Sequence, residues 1–457
     1  MNAIVLSALW GVLMMYTGVL SKRPAVARAM AMLGIALLII VSVLDLLGMP
    51  LLNVSTAGML EFSTYSHLFV TVLLVCTAFY LALSLDAIQS SVGQLSDHCA
   101  LLFFSLAGIC VTVSFKSLLM LFLGIEIMTI PMYILAASDK RNLKSNEAGL
   151  KYFLMGAFST GLMLMGITLL YGAYGTFVNE GINLGMGFLS PMAVAGIVLL
   201  MVSMAFKVSA APFHFWTPDV YDGTPTVFTS FMASIVKAAA FLAFLRLFES
   251  AFGKLQPHWQ SLMAVLTAAT LLIGNVTAVF QQSVKRMLAY SSIAQAGFML
   301  MAVFALNITG KQGLLLYAAA YSLATIGIFA VLTHMKDYTY EGFNGLARHE
   351  PLLAALTTVF LLSLTGIPLT AGFFAKYHMI LAVLREGSMK WLAILAVLCA
   401  AVSVYYYFRV IQAMYFKEGP EPGLRFDKTS KGVLVLAALL IVALGLHPDW
   451  LIRFMSL

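Results

Sequence analysis

Apolar stretches of about 20 residues recur from one end of this chain to the other. A stretch of that length spans the hydrocarbon core of a bilayer as an α-helix, which rises about 1.5 Å per residue. Apolar residues make up 61% of the chain and charged residues only 10%, against roughly a quarter charged in a soluble domain. A membrane β-barrel would need short alternating segments instead, and the sequence has none. The pattern therefore predicts an all-α polytopic membrane protein.

The apolar runs predict about fourteen transmembrane helices. Two of them are expected to be discontinuous, because Pro212 interrupts the seventh and "TGIPLTAG" interrupts the twelfth. No loop is long enough to form a soluble domain, so 1–457 is expected to be a single membrane domain. The expected helix cores are 3–21, 29–49, 66–86, 99–116, 117–137, 149–171, 190–210, 224–247, 259–280, 287–306, 313–334, 352–384, 391–416 and 432–452.

Each interrupted helix carries a lysine near its break: Lys207 precedes Pro212, and Lys376 follows the Gly-Ile-Pro segment. Matching interruptions in two halves are typical of transporters built from inverted repeats around an ion path at mid-membrane. The expected organisation is N-terminal helices 1–3 in 1–98, a first five-helix repeat (helices 4–8) in 99–247, a second inverted repeat (helices 9–13) in 259–416, and C-terminal helix 14 in 432–452.

Pro212 offers a local explanation for the first break. It has no N–H for the carbonyl of Val208, four residues earlier, and its ring clashes there. A freed carbonyl in hydrocarbon is tolerated only where protein or a wet cavity satisfies it. We therefore expect Pro212 to open the helix beside Lys207.

The loop charges predict the orientation. One side holds about twice as many cations as the other, so it is expected to face the cytoplasm, with both termini in the periplasm of a bacterial inner membrane. The cation-rich side has Lys22, Arg23, Arg28, Lys140, Arg141, Lys144, Lys151, Lys285, Arg286, Lys336, Arg348, Lys417, Arg425, Lys428 and Lys431. The opposite side has Lys116, Arg246, Lys254, Lys311, Arg385, Lys390 and Arg453.

Several function classes lack their sequence signals. The four cysteines, Cys76, Cys99, Cys110 and Cys399, are scattered without a Cys-x-x-Cys pair, which argues against iron–sulfur or zinc sites. There is no Gly-x-Gly-x-x-Gly after a strand and no phosphate-binding loop of the Walker type. The net charge of +7 is explained by the loop bias rather than by nucleic acid. We therefore expect no cofactor and no metal in this chain.

Five charged residues remain inside the predicted helices: Glu126, Lys207, Lys237, Lys376 and Arg409. Each costs roughly 2.5–3.5 kcal/mol at the centre of an isolated membrane helix, so pairing, water or function must offset the sum. Arg409 lies within about two turns of a helix end, where its side chain can reach the interface, and a structural role is expected.

A carboxylate can control the charge of a buried lysine. Moving a Glu–Lys pair from about 4 Å to about 10 Å, at an effective dielectric constant near 20, changes its attraction by roughly 2.5 kcal/mol. Lifting one charge against about 180 mV costs about 4 kcal/mol. Several charges in series and an outside energy source are therefore needed to pump an ion.

Four segments carry a resemblance to a known family: "LFLGIEIMTIPMYIL", "APFHFWTPDVYDGTPT", "VKRMLAYSSIAQAGF" and "SLTGIPLTAGFFAKYHM". In this order they resemble the antiporter-like membrane subunits of bacterial NADH:quinone oxidoreductase (respiratory complex I), most of all the subunit N group. The resemblance covers about 100–416 and implies a proton-translocating, non-redox subunit driven by quinone reduction elsewhere in the complex.

The resemblance also implies roles, cofactors and partners. Glu126 matches the glutamate of the fifth helix, Lys207 its partner lysine, Lys237 the central lysine of the eighth helix, and Lys376 the lysine toward the periplasmic side. FMN, iron–sulfur clusters and quinone are expected in other subunits. The expected partners are the neighbouring subunit M, the small subunits K, J and A, the lipid bilayer and protons.

One position departs from the family pattern: Gln295 stands where a histidine is frequent. Glutamine can hydrogen-bond water but cannot take a proton at neutral pH. The second half would then relay protons through water, Lys376 and a further group, for which His334 and Tyr405 are candidates. His214 and Trp216 are expected to shape the cytoplasmic side of the cavity.

Asp219 and Asp222 are expected to cap or position the next helix, with proton uptake as an alternative.

Three further functions stay open at this point. A Mrp-type Na⁺/H⁺ antiporter subunit or a subunit of a membrane-bound hydrogenase would share the Glu–Lys–Lys core, and a structural spacer would not need its buried charges. The segments "LFLGIEI" and "YYYFRV" favour the quinone-linked complex.

Overall fold

The computed structural model describes residues 2–21, 23–52, 56–185, 189–420, 423–424 and 426–456. Lys22 and Arg425, two cations of the topology prediction, lie outside the described residues. Within those ranges the chain folds into helices without any β-strand. The α-helices are α1 (Asn2–Leu20), α2 (Pro24–Leu46), α3 (Thr64–Val92), α4 (Leu95–Ser114), α5 (Leu118–Ala136), α6 (Leu143–Tyr174), α7 (Asn179–Gly185), α8 (Pro191–Lys207), α9 (Trp216–Gly223), α10 (Thr226–Phe231), α11 (Lys237–Ser250), α12 (Gln256–Val279), α13 (Val284–Ala305), α14 (Ile308–Thr333), α15 (Leu346–His349), α16 (Pro351–Thr365), α17 (Ala371–Glu386), α18 (Lys390–Phe416), α19 (Lys428–Leu446) and α20 (Asp449–Ile452).

In the part of the chain that the structure describes, 12 helices are long and apolar enough to cross a membrane. One of them runs from α10 through a π-helical turn, Met232–Val236, into α11. The predicted seventh and twelfth helices are each divided, into α8 and α9 and into α16 and α17. The predicted all-α membrane fold and its two discontinuities are confirmed, whereas the count of about fourteen and the inverted repeats stay predictions.

Polar residues start many of these helices. A serine, asparagine or aspartate side chain accepts a hydrogen bond from a backbone N–H of the first turn, which satisfies one of the donors that a helix start leaves free. This occurs at α3, α5, α6, α8, α13, α14 and α19. Proline stands in the first turn of α2, α8, α12 and α16, where its missing N–H costs nothing.

The break in the seventh helix differs from the prediction. Helix α8 already ends at Lys207, and Ser209 has a left-handed backbone with φ of 64°. The Ala210 N–H donates to the Ala205 carbonyl at 2.8 Å, which closes the helix end. The expectation that Pro212 frees the Val208 carbonyl within a helix is wrong, because the helix has ended before Pro212 could interrupt it. Proline instead follows the helix end, as is common after such an ending.

Glycine ends the first part of the twelfth helix. Gly366 follows α16 with φ of +86°, a backbone conformation that side chains rarely adopt. A Cβ added at Gly366 would lie 2.9 Å from Cδ of Lys376. The glycine therefore serves two purposes, since it turns the backbone and leaves room for the lysine stem.

The centre of the molecule consists of α14, α13 and the helix formed by α10 and α11. The most apolar part of α14 is entirely buried inside the protein, whereas α1 and α19 bury less than a third of theirs. Lys237 begins α11 and Gln295 lies on α13. The fold therefore places these two polar side chains on its innermost helices.

Contacts group the loop charges on two sides, as the topology prediction requires. On one side, Arg246 donates to the Phe115 carbonyl, and Lys311 pairs with Glu249. On the other side, Lys151 and Arg286 both pair with Asp219. Lys285 is an exception: it was counted as a loop cation, but it is 3% exposed and enclosed by protein.

Candidate functional site

Glu126 and Lys207 form the one ion pair between the intramembrane charges that the structure describes. Their atoms Oε1 and Nζ lie 3.9 Å apart, with side-chain exposures of 22% and 5%. The Thr160 hydroxyl lies between them, donating to Glu126 Oε1 at 2.7 Å and accepting from Lys207 Nζ at 3.2 Å. Lys207 Nζ also donates to the Tyr133 hydroxyl at 3.4 Å. The predicted Glu–Lys pairing is present, with a threonine as its bridge.

Lys207 is the last residue of α8, where the helix dipole favours a positive charge. The carbonyls of the last turn need partners there, because no further turn supplies N–H groups. Trp216 supplies one of them: its indole N–H donates to the Phe206 carbonyl at 3.1 Å. Trp216 also lines a small cavity with Tyr133 and Lys207, and its predicted place on the cytoplasmic side stays a prediction.

Lys237 lies at the centre of the protein and is 2% exposed. It follows the π-helical turn Met232–Val236, a local widening that is frequent at functional sites. Its Nζ donates to the Ser292 hydroxyl at 2.9 Å and to the Ser292 carbonyl at 3.1 Å, and lies 5.6 Å from the Tyr221 ring centre. Within the described residues Lys237 has no acidic partner, so neutral oxygens and a ring hold its ammonium group.

Lys376 lies on α17, one turn after the break in the twelfth helix, and is 6% exposed. Its Nζ donates to the Thr365 carbonyl at 2.8 Å and lies 4.7 Å from the Phe298 ring centre. Thr365 ends α16, so this lysine satisfies the carbonyl end of the preceding half-helix, where a cation is favoured. No carboxylate of the described chain pairs with it.

Gln295 lies close to Lys376, and all its polar atoms are engaged. Its amide nitrogen donates to the Leu364 carbonyl at 2.9 Å and to the Tyr407 hydroxyl at 3.1 Å. Its amide oxygen accepts a hydrogen bond from Tyr317. The glutamine is therefore fixed by three helices, α14, α16 and α18, and cannot turn without breaking these bonds.

Two small cavities of about 10 Å³ each share Tyr321 as a lining residue, and one of them is also lined by Lys376. We call them the Ser291 cavity and the Lys376 cavity. The Ser291 cavity is lined by Ser291, Tyr321 and Thr325, among apolar groups. The Lys376 cavity is lined by Gln295, Tyr317, Tyr321, Ser363 and Lys376 together with small residues. Each volume fits about one water molecule.

Three residues that the sequence predicted for the relay lie away from the lysines and the two cavities: Tyr405, His334 and His214. Tyr405 is 57% exposed on the outer surface of α18, and its relay role stays a prediction. Tyr407, two residues further along the same helix and fully buried, is the one that reaches Gln295. His334 caps α14, and its Nδ1 lies 3.0 Å from the Ala330 carbonyl.

His334 also packs against Phe426 at 4.2 Å between ring centres, without contact to the lysines. His214 lies in the segment between α8 and α9 and is half-buried. Its Nδ1 is buried without a hydrogen-bond partner in the described chain. Relay roles for these two histidines stay predictions.

The cation-rich side holds two open polar pockets of about 280 and 370 Å³. Asp222 lines both, and its carbonyl and that of Thr224 accept hydrogen bonds from Lys285 Nζ at 2.8 Å. Both carbonyls lie at the C-terminal end of α9. Lys285 therefore holds α9, the second half of the divided seventh helix, in place. These bonds go to main-chain carbonyls, so the helix-positioning role of the Asp222 side chain and its alternative, proton uptake, stay predictions.

Asp219 lies in the first turn of α9 and pairs with Lys151 and Arg286 at 3.0 and 3.1 Å. Partial burial opposes ionisation of its carboxyl group, but hydrogen bonds and the nearby charges of Lys151 and Arg286 outweigh burial and lower the pKa of Asp219. The aspartate is therefore ionised at neutral pH and ties α9 to α6 and α13.

Arg409 has the structural role expected from its position near a helix end. Its guanidinium donates to the Val279 carbonyl at 3.1 Å and lies 4.1 Å from the Tyr340 ring centre. Val279 ends α12, so the arginine satisfies a free carbonyl at the favourable end of the helix dipole. It contacts none of the relay candidates.

Sequence reasoning missed four residues that complete the site: Thr160, Lys285, Tyr321 and Tyr407. For Thr160 and the tyrosines no local signal exists, because a hydroxyl on a buried helix face has the same pattern as packing. Lys285 opens the quoted segment "VKRMLAYSS" beside Arg286, and only the three-dimensional structure separates the buried cation from the exposed one. Within the described residues no group of three or more His, Cys, Asp or Glu side chains could hold a metal ion.

Comparison with known proteins places this arrangement in context. A family sequence profile described as "NADH:quinone oxidoreductase/Mrp antiporter, TM" matches residues 116–403. NADH-quinone oxidoreductase subunit N of Cytophaga hutchinsonii is 40% identical, with 99% of each chain covered. The protein of the same name from Flavobacterium psychrophilum is 35% identical over the full length of both chains.

Solved structures agree on the fold. A chain of respiratory complex I from Thermus thermophilus with bound aureothin has a TM-score of 0.82 and 33% identity, with 98% of this chain and 97% of that chain covered. A chain of the Mrp complex from Dietzia has a higher TM-score, 0.88, at 17% identity, with 99% and 95% covered. The likeness to the Mrp chain shows a shared fold alone, whereas the Thermus thermophilus chain with 33% identity is also similar in sequence.

Proposed function

The chain belongs to the antiporter-like membrane subunits of NADH:quinone oxidoreductase, within the subunit N group, and we propose that it moves protons through Glu126, Lys207, Lys237 and Lys376. The observation that carries this proposal is the Glu126–Thr160–Lys207 contact. A carboxylate and an ammonium group 3.9 Å apart, joined by a hydroxyl, form a pair whose separation controls the charge of the lysine.

The relay begins at this pair and continues to the two lysines without acidic partners. When Glu126 and Lys207 separate, the ammonium of Lys207 loses its counter-charge and its proton becomes easier to release. Lys237 and Lys376 are held by neutral oxygens, so a proton on either is stabilised less than one on a paired lysine. Gln295, fixed by three helices, orders the groups between them rather than carrying a proton.

The chain itself supplies the path and not the driving force. We place the redox groups expected from the family, FMN, iron–sulfur clusters and quinone, in other subunits of the complex. Subunit M and the small subunits K, J and A are the proposed neighbours. The cation-rich side, with Lys151, Lys285 and Arg286, is proposed to face the cytoplasm of a bacterial inner membrane, with both termini in the periplasm.

The division into halves is part of the proposal. Residues 99–247 and 259–416 each contain a divided helix with a lysine at its break. In both halves that lysine lies at the carbonyl end of a half-helix. This likeness supports two repeats within a single membrane domain of residues 1–457.

Lys237→Met in the assembled complex tests the proposed function. Methionine keeps the length and removes the charge, so we expect NADH-driven acidification of inside-out membrane vesicles to fall at least about tenfold, equivalent to about 1.4 kcal/mol. Lys254→Met, at an exposed lysine, is the control and should acidify like the wild type. Native gels establish that the complex assembles. Normal acidification by assembled Lys237→Met complex would refute the relay.

The second candidate function is sodium/proton exchange without quinone chemistry, which the family profile shared by both groups and the fold shared with the Mrp chain leave as the alternative. It predicts proton release from vesicles on addition of Na⁺ without NADH. The proposed function predicts no such release.

A further inference from the structure

Tyr321 occupies the wall between the Ser291 cavity and the Lys376 cavity. It lies on α14, the most deeply buried helix, and is 3% exposed. Its hydroxyl lies beside Ser292, the residue whose hydroxyl and carbonyl hold Lys237 Nζ. Tyr321 is therefore in reach of the Lys237 contact on one side and lines the cavity of Lys376 on the other.

The Lys376 cavity has an unpartnered hydroxyl in its wall. Ser363 Oγ lines this cavity and has no hydrogen-bond partner in the described chain. The residue is 2% exposed. Since most buried hydroxyl groups in proteins have a partner, often an ordered water, Ser363 marks a position that suits water. In the wall of the Ser291 cavity, the Thr325 hydroxyl lies beside that of Tyr321.

Three neighbouring polar side chains already have hydrogen-bond partners: Gln295, Tyr407 and Tyr317. Gln295 uses its amide nitrogen and oxygen on Leu364, Tyr407 and Tyr317. The Tyr407 hydroxyl is shared between Gln295 and Ser291. Tyr317 lines the Lys376 cavity but not the Ser291 cavity. Tyr321 is the one tyrosine of the described chain that lines both.

We propose that Tyr321 passes the proton between Lys237 and Lys376, an inference that rests on the proposed function. An N–H bond of the Lys237 ammonium breaks, and its proton passes through the Ser292 hydroxyl to the Tyr321 oxygen. Tyr321 gives up its own hydroxyl proton to a water in the Lys376 cavity, and that water protonates neutral Lys376. Lys237 ends neutral and Lys376 charged, while Ser292, Tyr321 and the water are unchanged.

Tyr321→Phe tests this step, because it removes one oxygen and keeps the ring. We expect NADH-driven acidification of inside-out vesicles to fall about tenfold in assembled complex, and the solvent deuterium isotope effect on the residual rate to rise. The matched control is Tyr80→Phe: Tyr80 is fully buried, packs against Phe231 and has its hydroxyl beside Ser84, as that of Tyr321 is beside Ser292. It should retain the acidification rate and isotope effect of the wild type.

Three further variants make the outcome decisive. Ser363→Ala removes the unpartnered hydroxyl in the wall of the Lys376 cavity, where the relaying water is placed, and should lower acidification about threefold, which also tests the path if Tyr321→Phe does not assemble. A loss in Tyr317→Phe larger than in Tyr321→Phe would overturn the proposal in favour of a path along Gln295. Loss of acidification in Lys237→Met with normal acidification in Tyr321→Phe would overturn this inference alone. Normal acidification in both would overturn the proposed function as well.

Discussion

The two divided helices bring a lysine to a break in opposite ways. Lys207 ends its own half-helix and has a carboxylate at 3.9 Å. Lys376 belongs to the following half-helix and reaches back to the carbonyl of Thr365, without a carboxylate among the described residues. At 4 Å and an effective dielectric constant near 20, the attraction of an ion pair is about 4 kcal/mol before desolvation. The first half can therefore hold a charge firmly, and the second half is built to release one.

This difference assigns control to the first half. A lysine held by an acid changes its charge when the acid moves, whereas one held by backbone carbonyls has no such control. The second half instead supplies hydroxyl groups near Lys237 and Lys376. Ser292 holds Lys237, Tyr317 and Tyr321 line the Lys376 cavity, and Tyr407 bonds to Gln295 in its wall. We infer that the first half sets when a proton moves and the second half sets where it goes.

The largest effect is expected when the second half is given an acid like that of the first. Gln295→Glu places a carboxylate in the wall of the Lys376 cavity, where its attraction would keep the Lys376 proton bound. We expect acidification by inside-out vesicles to fall more than tenfold in assembled complex.

Gln295→Met is the neutral control for this change. It removes the same hydrogen bonds without adding a charge and should retain more activity than Gln295→Glu. Equal acidification rates in the two variants would mean that the absence of a carboxylate beside Lys376 does not matter for proton transport.

Removing the bridge of the first half should have the next largest effect. Thr160→Val keeps the shape of the side chain but deletes the hydroxyl between Glu126 and Lys207. We expect a loss of about tenfold in acidification, which corresponds to the lower end of the about 1.5–3 kcal/mol that hydrogen bonds to charged groups contribute. The control is Thr168→Val on the same helix, whose exposed hydroxyl bonds only to the Leu164 carbonyl.

If both threonine variants acidify at the wild-type rate, the pair does not need its bridge and the 3.9 Å contact acts by charge alone. If both lose activity equally, the loss reflects the helix and not the site.

The next largest effect is expected when the side chain that caps the end of α8 is changed. Trp216→Phe leaves the Phe206 carbonyl without the indole N–H at the end of α8, and an unsatisfied buried acceptor costs about 1–3 kcal/mol. We expect a lower midpoint of thermal inactivation together with reduced acidification.

Trp259→Phe is matched to this variant, because Trp259 donates to the Phe252 carbonyl at 3.0 Å far from the lysine breaks. It should lower thermal stability by a similar amount and leave the acidification rate per assembled complex unchanged. A loss of acidification in both variants would show that stability, and not the break, is the cause.

The smallest effect is expected at the cluster of Asp219 with its partners Lys151 and Arg286, called the Asp219 cluster. The pKa of Asp219 is lowered in the folded protein, so its ionised form contributes stability above the unfolded pKa of about 3.9. That contribution is lost as the pH falls through the folded value. Because the pairs are partly exposed, it amounts to about 1 kcal/mol or less.

Thermal inactivation midpoints of Asp219→Asn and wild type check this. The variant should be about 2 °C or less below the wild type, equally at pH 7 and pH 5. The gap should close below about pH 4. A gap that stays constant down to pH 3 would mean that the cluster acts by packing rather than by charge.

The sequence predicted the parts of this fold that follow from solvent and chain chemistry. Apolar length predicted the membrane helices, and glycine and proline predicted the breaks near Lys207 and Lys376. The cost of a buried charge singled out Glu126 and the three lysines. These inferences need no knowledge of which side chains meet.

The rest depends on the direction of side chains, which the sequence does not show in helices buried on all sides. Tyr405 and Tyr407 differ by two residues, about 200° around a helix, yet nothing local says that Tyr407 is the inner one. Ser209, with its left-handed backbone, ends α8 earlier than Pro212 could. Lys285 has the same flanking pattern as the exposed Arg286, and only the end of α9 explains why it is buried.

The most direct test of the control assigned to the first half uses Glu126→Gln, which keeps the shape and the hydrogen bond of Thr160 and removes only the charge. NADH-driven acidification of inside-out vesicles is measured with quinone reduction in the same assembled complex. Loss of both together is the expected result, because a lysine without its acid no longer responds to the coupling motion. If both rates stay at wild-type values while the complex assembles, the Glu126–Lys207 pair is structural, and the proposed division between a controlling half and a conducting half is wrong.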